Sequence, residues 1–444
     1  MLPPGLKLEQ LLAPIDTDCF FRDRWEKEPL VVRRGDQAYY RRLFSRQDLD
    51  AMIYFSRPHF ADLSALEPVA PRPATYLRGG LDDRPTPSFH EQPGLAELRQ
   101  LYEQGKSVVI MAMQHRWPAV AELCRQLEAV FHCPVHANLY LTPPGSQGFA
   151  AHFDTHEVFV LQLDGTKQWR LFGAAEELPL ASDSVPLSRR PTKPTQEVTL
   201  IAGDLLYLPR GHIHEASTSE VASLHLTVGV NVYRWADLLR HALLCLSRQD
   251  VEFRRSIPGG ALPDDRNEFQ RQFRALVERL ASEATADGLF EQASDSLADQ
   301  FFRQLKMLPG GQLGGPGEGD EIGLDTVVER DVLAICRVVE NGQGVAIEFP
   351  GNRVGGPSRI ASALKFMAGA TQFAVRELPD DLGGEGKLVL VRRLVREGLL
   401  KVVGRPISPS FLSGATFSEE IHASDAATRK LAETVGHARG PGLV

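Results

Sequence analysis

The chain has 444 residues, too many for one ordinary core, so two or three domains are expected. Hydrophobic residues make up 43% and charged residues 24%, and the formal net charge is -8, which excludes overall attraction to nucleic acid or an anionic membrane. The N-terminus lacks a basic stretch followed by an apolar run, no segment of about 18 apolar residues exists, and the five cysteines are scattered without a C-x-x-C pair. A cytoplasmic protein with no signal peptide, no spanning helix and no zinc-thiolate site is the expectation.

In chain order, "FFRDRWEKEPLVVRRGD" reads as a short helix and then an extended "PLVVRR" ended by Gly35-Asp36. "LAELRQLYEQGKSVVIMAM" reads as a helix running into a strand, and "AVAELCRQLEAVF" as an amphipathic helix. From 135 to 233 the texture changes to short alternating strands punctuated by Pro and Gly, as in a β-sandwich or barrel. "EVFVLQLDGTKQWRLF" predicts a hairpin turning at Asp164-Gly165. "WADLLRHALLCLSRQ" and "RNEFQRQFRALVERLASEA" then carry helical apolar stripes. "LPGGQLGGPGEGDEIG" reads as a flexible linker, and a small α+β unit with winged-helix texture follows, ending in about 25 frayed residues. The expected domains are 1–233, a helical region 234–307, the linker 308–323 and a terminal unit 324–444.

"AHFDTHEVFV" places His152, Asp154 and His156 within five residues. A non-haem iron site needs two imidazoles and one carboxylate on one face of the metal. His152 and Asp154 are two apart, so on an extended segment they point the same way. His212, His214 and His225 compete for the remaining place. "GDLLYLPRGHIHEA" contains G-x5-P-x-G-x2-H, the spacing of the second cupin-barrel signature, and this selects His214. His156 and His212 are expected outside the metal's ligands. Lys167 shares a strand face with Trp169 and Leu171; a lysine there either meets an anion or reaches out past the barrel rim, and the metal motifs favour the anion. Asn138, Tyr140 and Thr142 form one alternating polar face, and His225, Thr227, Gly229 and Asn231 another. Such faces line either solvent or a polar cavity, and the metal motifs favour the cavity.

"NLYLTPPGSQGFAAHFDTHEVFVLQLDGTKQWRLF" and "GDLLYLPRGHIHEA" with "SLHLTVGV" resemble the Jumonji-C ribosomal oxygenases, Fe(II)- and 2-oxoglutarate-dependent protein hydroxylases. The resemblance extends over nearly the whole chain. It implies an α+β multidomain protein: a double-stranded β-helix (jelly-roll, cupin) Jumonji-C barrel, a helical dimerisation region and a C-terminal winged helix. It further implies that His152, Asp154 and His214 bind iron and that Lys167 binds the 2-oxoglutarate tail. Asn138 and Tyr140 would lie near cosubstrate or substrate. The implied partner is a ribosomal protein hydroxylated on a histidyl or arginyl side chain, the motifs being more similar to the histidyl branch. His156, His212 and Gly229 depart from that branch, the last standing where a serine helps seat the target.

Two other readings compete. One keeps the iron but takes a small molecule or peptide. The other is a winged-helix DNA-binding regulator, which the near balance of Arg and Glu across 326–401 disfavours. The helices after Trp235 carry more apolar surface than they can bury on themselves, so a homodimer is expected.

Overall fold

The computed structural model describes residues 5–56, 63–66, 95–174, 176–180, 193–257, 266–285, 288–308, 322–331, 333–342 and 344–403. The linker expected at 308–323 and the frayed terminus lie almost wholly outside them. The chain divides into two compact units, Met1–Leu308 and Pro309–Val444.

The first unit opens with helices α1 (Leu8–Leu12) and α2 (Thr17–Asp23), strand β1 (Leu30–Val32) and helix α3 (Arg46–Ser56). Then come β2 (Leu63–Leu66), α4 (Leu95–Glu103), β3 (Ser107–Ile110) and α5 (Pro118–Phe131). The barrel proper comprises β4 (Val135–Thr142), β5 (Glu157–Ala174), β6 (Gln196–Ile201), β7 (Leu205–Leu208), β8 (His212–Ser217) and β9 (Ser223–Val230). Helices α6 (Trp235–Gln249), α7 (Arg266–Thr285) and α8 (Leu289–Gln304) complete the unit.

Local signals explain the helices near the barrel. Asp16 caps α2 by accepting from the backbone N–H groups of Asp18 and Cys19. Helix α5 starts with Pro118 in its first turn and ends at His132 in the left-handed region. Its buried Val120, Leu123, Cys124 and Leu127 recur at three- and four-residue spacing and pack on the large sheet with α1 and α2.

The "EVFVLQLDGTKQWRLF" segment is not a hairpin. It is one 18-residue strand, β5, passing through both sheets of the barrel. Its first half pairs antiparallel with β7 and β9, and its second half with β6 and β8. Asp164-Gly165 forms a corner, with the β9 register shifting between Gln162 and Asp164. The sequence signal for a two-residue turn was a signal for positive φ, and Gly165 does have φ +66°. That freedom serves a strand bend instead of a reversal. A Cβ on Gly165 would lie 1.8 Å from the Ala222 carbonyl oxygen, so the close strand crossing also demands glycine.

Strand alternation sorts the residues. The large sheet, in order β1-β7-β5-β9-β4-β3-β2, turns Ala137, Leu139, Phe159, Leu161, Leu224, Leu226 and Val228 toward the helices. The opposite faces meet across the barrel in a smaller core of Val158, Val160, Trp169, Leu171, Val198, Leu200, Leu206 and Leu208. The polar residues His136, Asn138, Tyr140 and Thr142 share this interior parity, as do Lys167, His225, Thr227 and Gly229.

The second unit contains two three-stranded antiparallel sheets. One comprises β10 (Val327–Arg330), β14 (Gln372–Ala374) and β15 (Leu400–Val402); the other β11 (Arg337–Asn341), β12 (Gly344–Phe349) and β13 (Asn352–Gly356). Helices α9 (Ala361–Gly369) and α10 (Gly384–Arg396) share their core through Ala363, Leu364, Met367, Val391 and Leu394. Among the described residues no helix of the chain is long and apolar enough to cross a membrane.

Gly165→Ala should therefore cost about 2–4 kcal/mol of unfolding free energy in urea titrations, combining left-handed strain with a backbone clash. Gly145→Ala, at φ +65° with nothing within 4 Å, should cost only about 1 kcal/mol. Equal losses would show that the strand crossing at Gly165 is not tight.

Candidate metal centre and its cavity

Two segments bring the predicted ligands together. The stretch before β5 lies antiparallel to β8: the His152 N–H donates to the His214 carbonyl at 3.1 Å, and the His214 N–H returns a bond to His152 at 2.8 Å. The Gly211 N–H donates to the Asp154 carbonyl at 2.9 Å. Gly211 has φ +87°, and a Cβ there would sit 2.2 Å from the Glu176 carbonyl oxygen. The Pro-Arg-Gly turn between β7 and β8 thus fixes the carboxylate segment directly.

Imidazole orientation is fixed by backbone carbonyls. His152 Nδ1 lies 2.9 Å from the Ala150 oxygen, and His214 Nδ1 lies 3.0 Å from the His212 oxygen. A carbonyl only accepts, so each Nδ1 carries the proton and each Nε2 keeps its lone pair. His214 Nε2 lies 3.6 Å from Asp154 Oδ2, and the two ligand rings are 4.5 Å apart. Ligand atoms of His152, Asp154 and His214 all fall within 4.8 Å of one another, so the three residues could hold one ion. Burial, reinforced by His152, lowers the His214 pKa to about 4, so its ring is neutral. Burial works to raise the Asp154 pKa, but the His156, His152 and His214 rings together outweigh it and hold the carboxyl below its usual range. Two neutral imidazoles and a carboxylate suit a divalent first-row ion with open positions opposite.

His156 and His212 do not join this group. His156 turns toward His136, with ring centroids 4.8 Å apart. His212 begins β8 on the turn, its N–H donating to the Pro209 carbonyl. His225, the other competitor, lies on β9 stacked on Tyr140 at 4.8 Å and 5°.

Lys167 is 3% exposed. Its Nζ donates to Thr142 Oγ1 at 2.8 Å, and it makes no ion pair among the described residues. Burial alone pushes its pKa down to about 7. A buried ammonium facing only a hydroxyl is costly until an anion arrives. Around it, Trp169 Nε1 and His225 Nδ1 are buried without hydrogen-bond partners. Trp169 touches both His225 and the metal ligand His214, with ring centroids 5.6 and 5.8 Å away. Lys167, Thr142, Trp169 and His225 thus cluster beside the candidate metal ligands as a group that could receive an anion. Asn138 Oδ1 accepts from the Ala112 N–H at 3.1 Å and lies further along β4.

Sequence reasoning missed the support beneath the turn. Glu157, fully buried, accepts from Tyr207 Oη at 2.5 Å and pairs with Arg210 at 3.0 Å. Arg210 also pairs with Glu26. Burial raises the Glu157 pKa to about 7. This network joins the start of β5, three residues after Asp154, to the turn that leads to His214. An E…R pair 53 residues apart gives no local pattern. His136 was also missed, although its parity with Asn138 on β4 placed it on the cavity face.

An antiparallel barrel that brings two histidines and one carboxylate within reach of one ion has a cupin-like fold with a candidate metal site. Residues 110–238, which carry all three candidate ligands, match the JmjC domain family. It is 38% identical to ribosomal oxygenase 1 of Rattus norvegicus over 66% of this chain and 51% of that protein. It is 35% identical to the bifunctional lysine-specific demethylase and histidyl-hydroxylase NO66 of Culex quinquefasciatus, over 66% of this chain and 47% of that protein. The chain thus spans about half the length of these relatives. The structure of YcfD, a ribosomal oxygenase from Escherichia coli, aligns with TM-score 0.52 and 21% identity over 88% of this chain and 99% of that one, a likeness of fold.

Two outcomes follow from these charges. Arg210→Met strands Glu157, and should cost about 3–5 kcal/mol in denaturant titrations at pH 8. A carboxyl whose folded pKa is raised stabilises below its unfolded pKa and loses that contribution as pH rises through the folded value, so the loss should be smaller at pH 6. A pH-independent loss would remove Glu157 from the explanation. For Lys167 the folded pKa is depressed, so stability is full above about pH 10.5 and falls toward pH 7, by on the order of a few kcal/mol. Melts of metal-free wild type minus Lys167→Met across that window should show the slope, and a flat difference would mean that water reaches the ammonium.

Proposed function

We propose that this chain is an Fe(II)- and 2-oxoglutarate-dependent dioxygenase that hydroxylates a histidyl or arginyl side chain of a protein, most specifically a ribosomal protein. The observation that carries the reading is the position of Lys167. It is a buried cation with no anion beside it among the described residues, on the interior face of β5, two residues from the Trp169 that touches candidate ligand His214. A dicarboxylate spans such a pair of sites, one end at the metal and the other at an ammonium. The ribosomal target comes from the relatives, whose names include ribosomal oxygenase and histidyl-hydroxylase.

His152, Asp154 and His214 would hold the iron, and Lys167 with Thr142 would hold the far carboxylate of 2-oxoglutarate. With dioxygen, these bound groups supply an oxidant able to replace a C–H bond by C–OH, releasing succinate and carbon dioxide. The chain's own part is positional. Lys167 fixes the dicarboxylate by a charge-assisted bond, the β5–β8 bridge fixes the ligand spacing, and the Trp169–His225–Tyr140 stack excludes water. Asn138 and Tyr140 line the cavity wall between the anion cradle and its far end. The second unit is proposed as winged-helix-like, acting without direct nucleic-acid contact, in a cytoplasmic protein.

Succinate release from 2-oxoglutarate, with a mass gain of one oxygen on a ribosomal-protein peptide, tests the reading. His214→Ala should abolish Co(II) binding and turnover together, whereas Lys167→Ala should keep Co(II) and weaken 2-oxoglutarate by about 1.5–3 kcal/mol. Unchanged 2-oxoglutarate affinity in Lys167→Ala would refute the anion role.

A homodimer through the helical region is part of the proposal. One face of α6 packs on α8 through Ala242, Cys245, Leu246, Leu289 and Ala293. The other exposes Trp235, Leu239 and Leu243 in a four-residue-spaced stripe, the first 81% accessible. Phe273 and Val277 on α7 are exposed too. Light scattering should give twice the 49.0 kDa of the chain, and L239E/L243E should move it to monomer with barrel stability unchanged. A monomeric wild type at micromolar concentration would refute the dimer.

A further inference from the structure

The interior face shared by β4, β5 and β9 is more buried at one end than at the other. Thr142, Lys167, Ser223 and His225 are buried at the first. Along the same strand pair, His136, Asn138, Thr227 and Asn231 are only partly buried. The less buried end, beside His136, His156 and Asn231, is therefore, on the proposed reading, the side for approach of a target side chain.

The His136 ring is oriented by Asn231. Asn231 Nδ2 lies 3.2 Å from the Pro134 carbonyl oxygen and 3.0 Å from His136 Nδ1. The carbonyl only accepts, so it is the amide nitrogen, not the oxygen, that faces both partners. His136 Nδ1 is then an acceptor, and the ring proton sits on Nε2. Among the described residues Nε2 has no hydrogen-bond partner. It lies over Gly229: a Cβ added there would come 2.7 Å from Nε2, 2.4 Å from His136 Cε1 and 2.5 Å from His156 Cδ2. Glycine at 229 is thus what lets the two imidazoles occupy this wall.

Resting on the function proposed above, we infer that His136 is a specificity-determining residue, held by Asn231 and Gly229 as an N–H donor that selects a target side chain offering a hydrogen-bond acceptor. A neutral imidazole, an amide or a hydroxyl has such an atom. A guanidinium has five donors and none to accept with, so it would leave the His136 N–H buried and unpaired. Donor against donor discriminates more strongly than a lost contact, as it does wherever a site is built around a polar group.

The test uses the full chain and two peptides of one ribosomal-protein sequence that differ only in the target residue, His or Arg. Their affinities for the Co(II)-loaded protein are read by fluorescence anisotropy, alongside turnover by mass spectrometry. Nitrogen-15 spectra of the histidine-labelled protein read the His136 tautomer directly. Wild type should show protonated Nε2 and bind the His peptide about tenfold or more tightly, the size of one unpaired buried donor. Asn231→Asp presents an acceptor to Nδ1, moves the proton there and leaves Nε2 as an acceptor. The His-over-Arg ratio should then fall about tenfold, with Co(II) affinity unchanged. Gly229→Ser should lose the ratio by displacing both rings. Protonated Nδ1 in the wild type, or a ratio that Asn231→Asp does not move, overturns the inference. Absence of oxygen gain on either peptide would refute the proposed reaction alone, since the binding ratio and the tautomer still decide the role of His136.

Discussion

The site depends on one strand belonging to two sheets. Strand β5 pairs with β7 and β9 over its first half and with β6 and β8 over its second, bending at Gly165. That bend lets Leu171 pair with His214 in register, while Glu157, at the strand's start, follows three residues after Asp154. The metal ligands therefore meet because one strand closes the barrel on itself. Without the bend, the second half would continue in the plane of the large sheet, and β8 would have no partner on the ligand side.

Polar groups inside the barrel divide by how they are compensated. Glu157, Arg210 and Tyr207 satisfy one another, with Glu26 at the edge, and so tie the turn to β5. Among the described residues, Lys167 meets only the Thr142 hydroxyl and no anion, and Trp169 Nε1 and His225 Nδ1 have no hydrogen-bond partner. A buried ion pair is costly to break but adds little over an apolar core, so the first group serves to fix position. The second group carries a standing desolvation cost that only a ligand removes. The first kind of group holds the turn in place, and the second kind is what the proposed anion would complete.

Much of this was legible in the sequence because strands write their faces in alternation. His152 with Asp154, and Lys167 in step with Trp169 and Leu171, follow from a period of two, while the G-x5-P-x-G-x2-H spacing marks the Pro-Gly turn that returns His214. Helix α5 followed from its apolar spacing. Gly165 misled because Asp-Gly marks positive φ, and a tight turn and a strand bend both use it. Arg210 and Glu157 were invisible because a buried ion pair between strands 53 residues apart has no local signature. His136 could have been read from its parity with Asn138, but its donor role depends on Pro134 and Asn231, which only the folded chain brings beside it.

The balance of charge shows how local this chemistry is. With a net charge of -8, the molecule as a whole repels a dicarboxylate. Solvent ions screen that field within roughly 8–10 Å at physiological salt. On the proposed reading Lys167 would act behind that screen, in a buried wall shared with Thr142, Trp169 and His225 where the effective dielectric is low. There one ammonium outweighs a diffuse surplus of surface carboxylates, because Coulomb energy scales inversely with both distance and dielectric. The same reasoning applies at the less buried end, where selectivity comes from the direction of one N–H on a neutral ring. Burial lowers the His136 pKa to about 3, so no charge on that ring blurs the distinction between donor and acceptor. Net charge thus governs how ligands meet the surface, and the orientation of a few buried protons governs which of them stay.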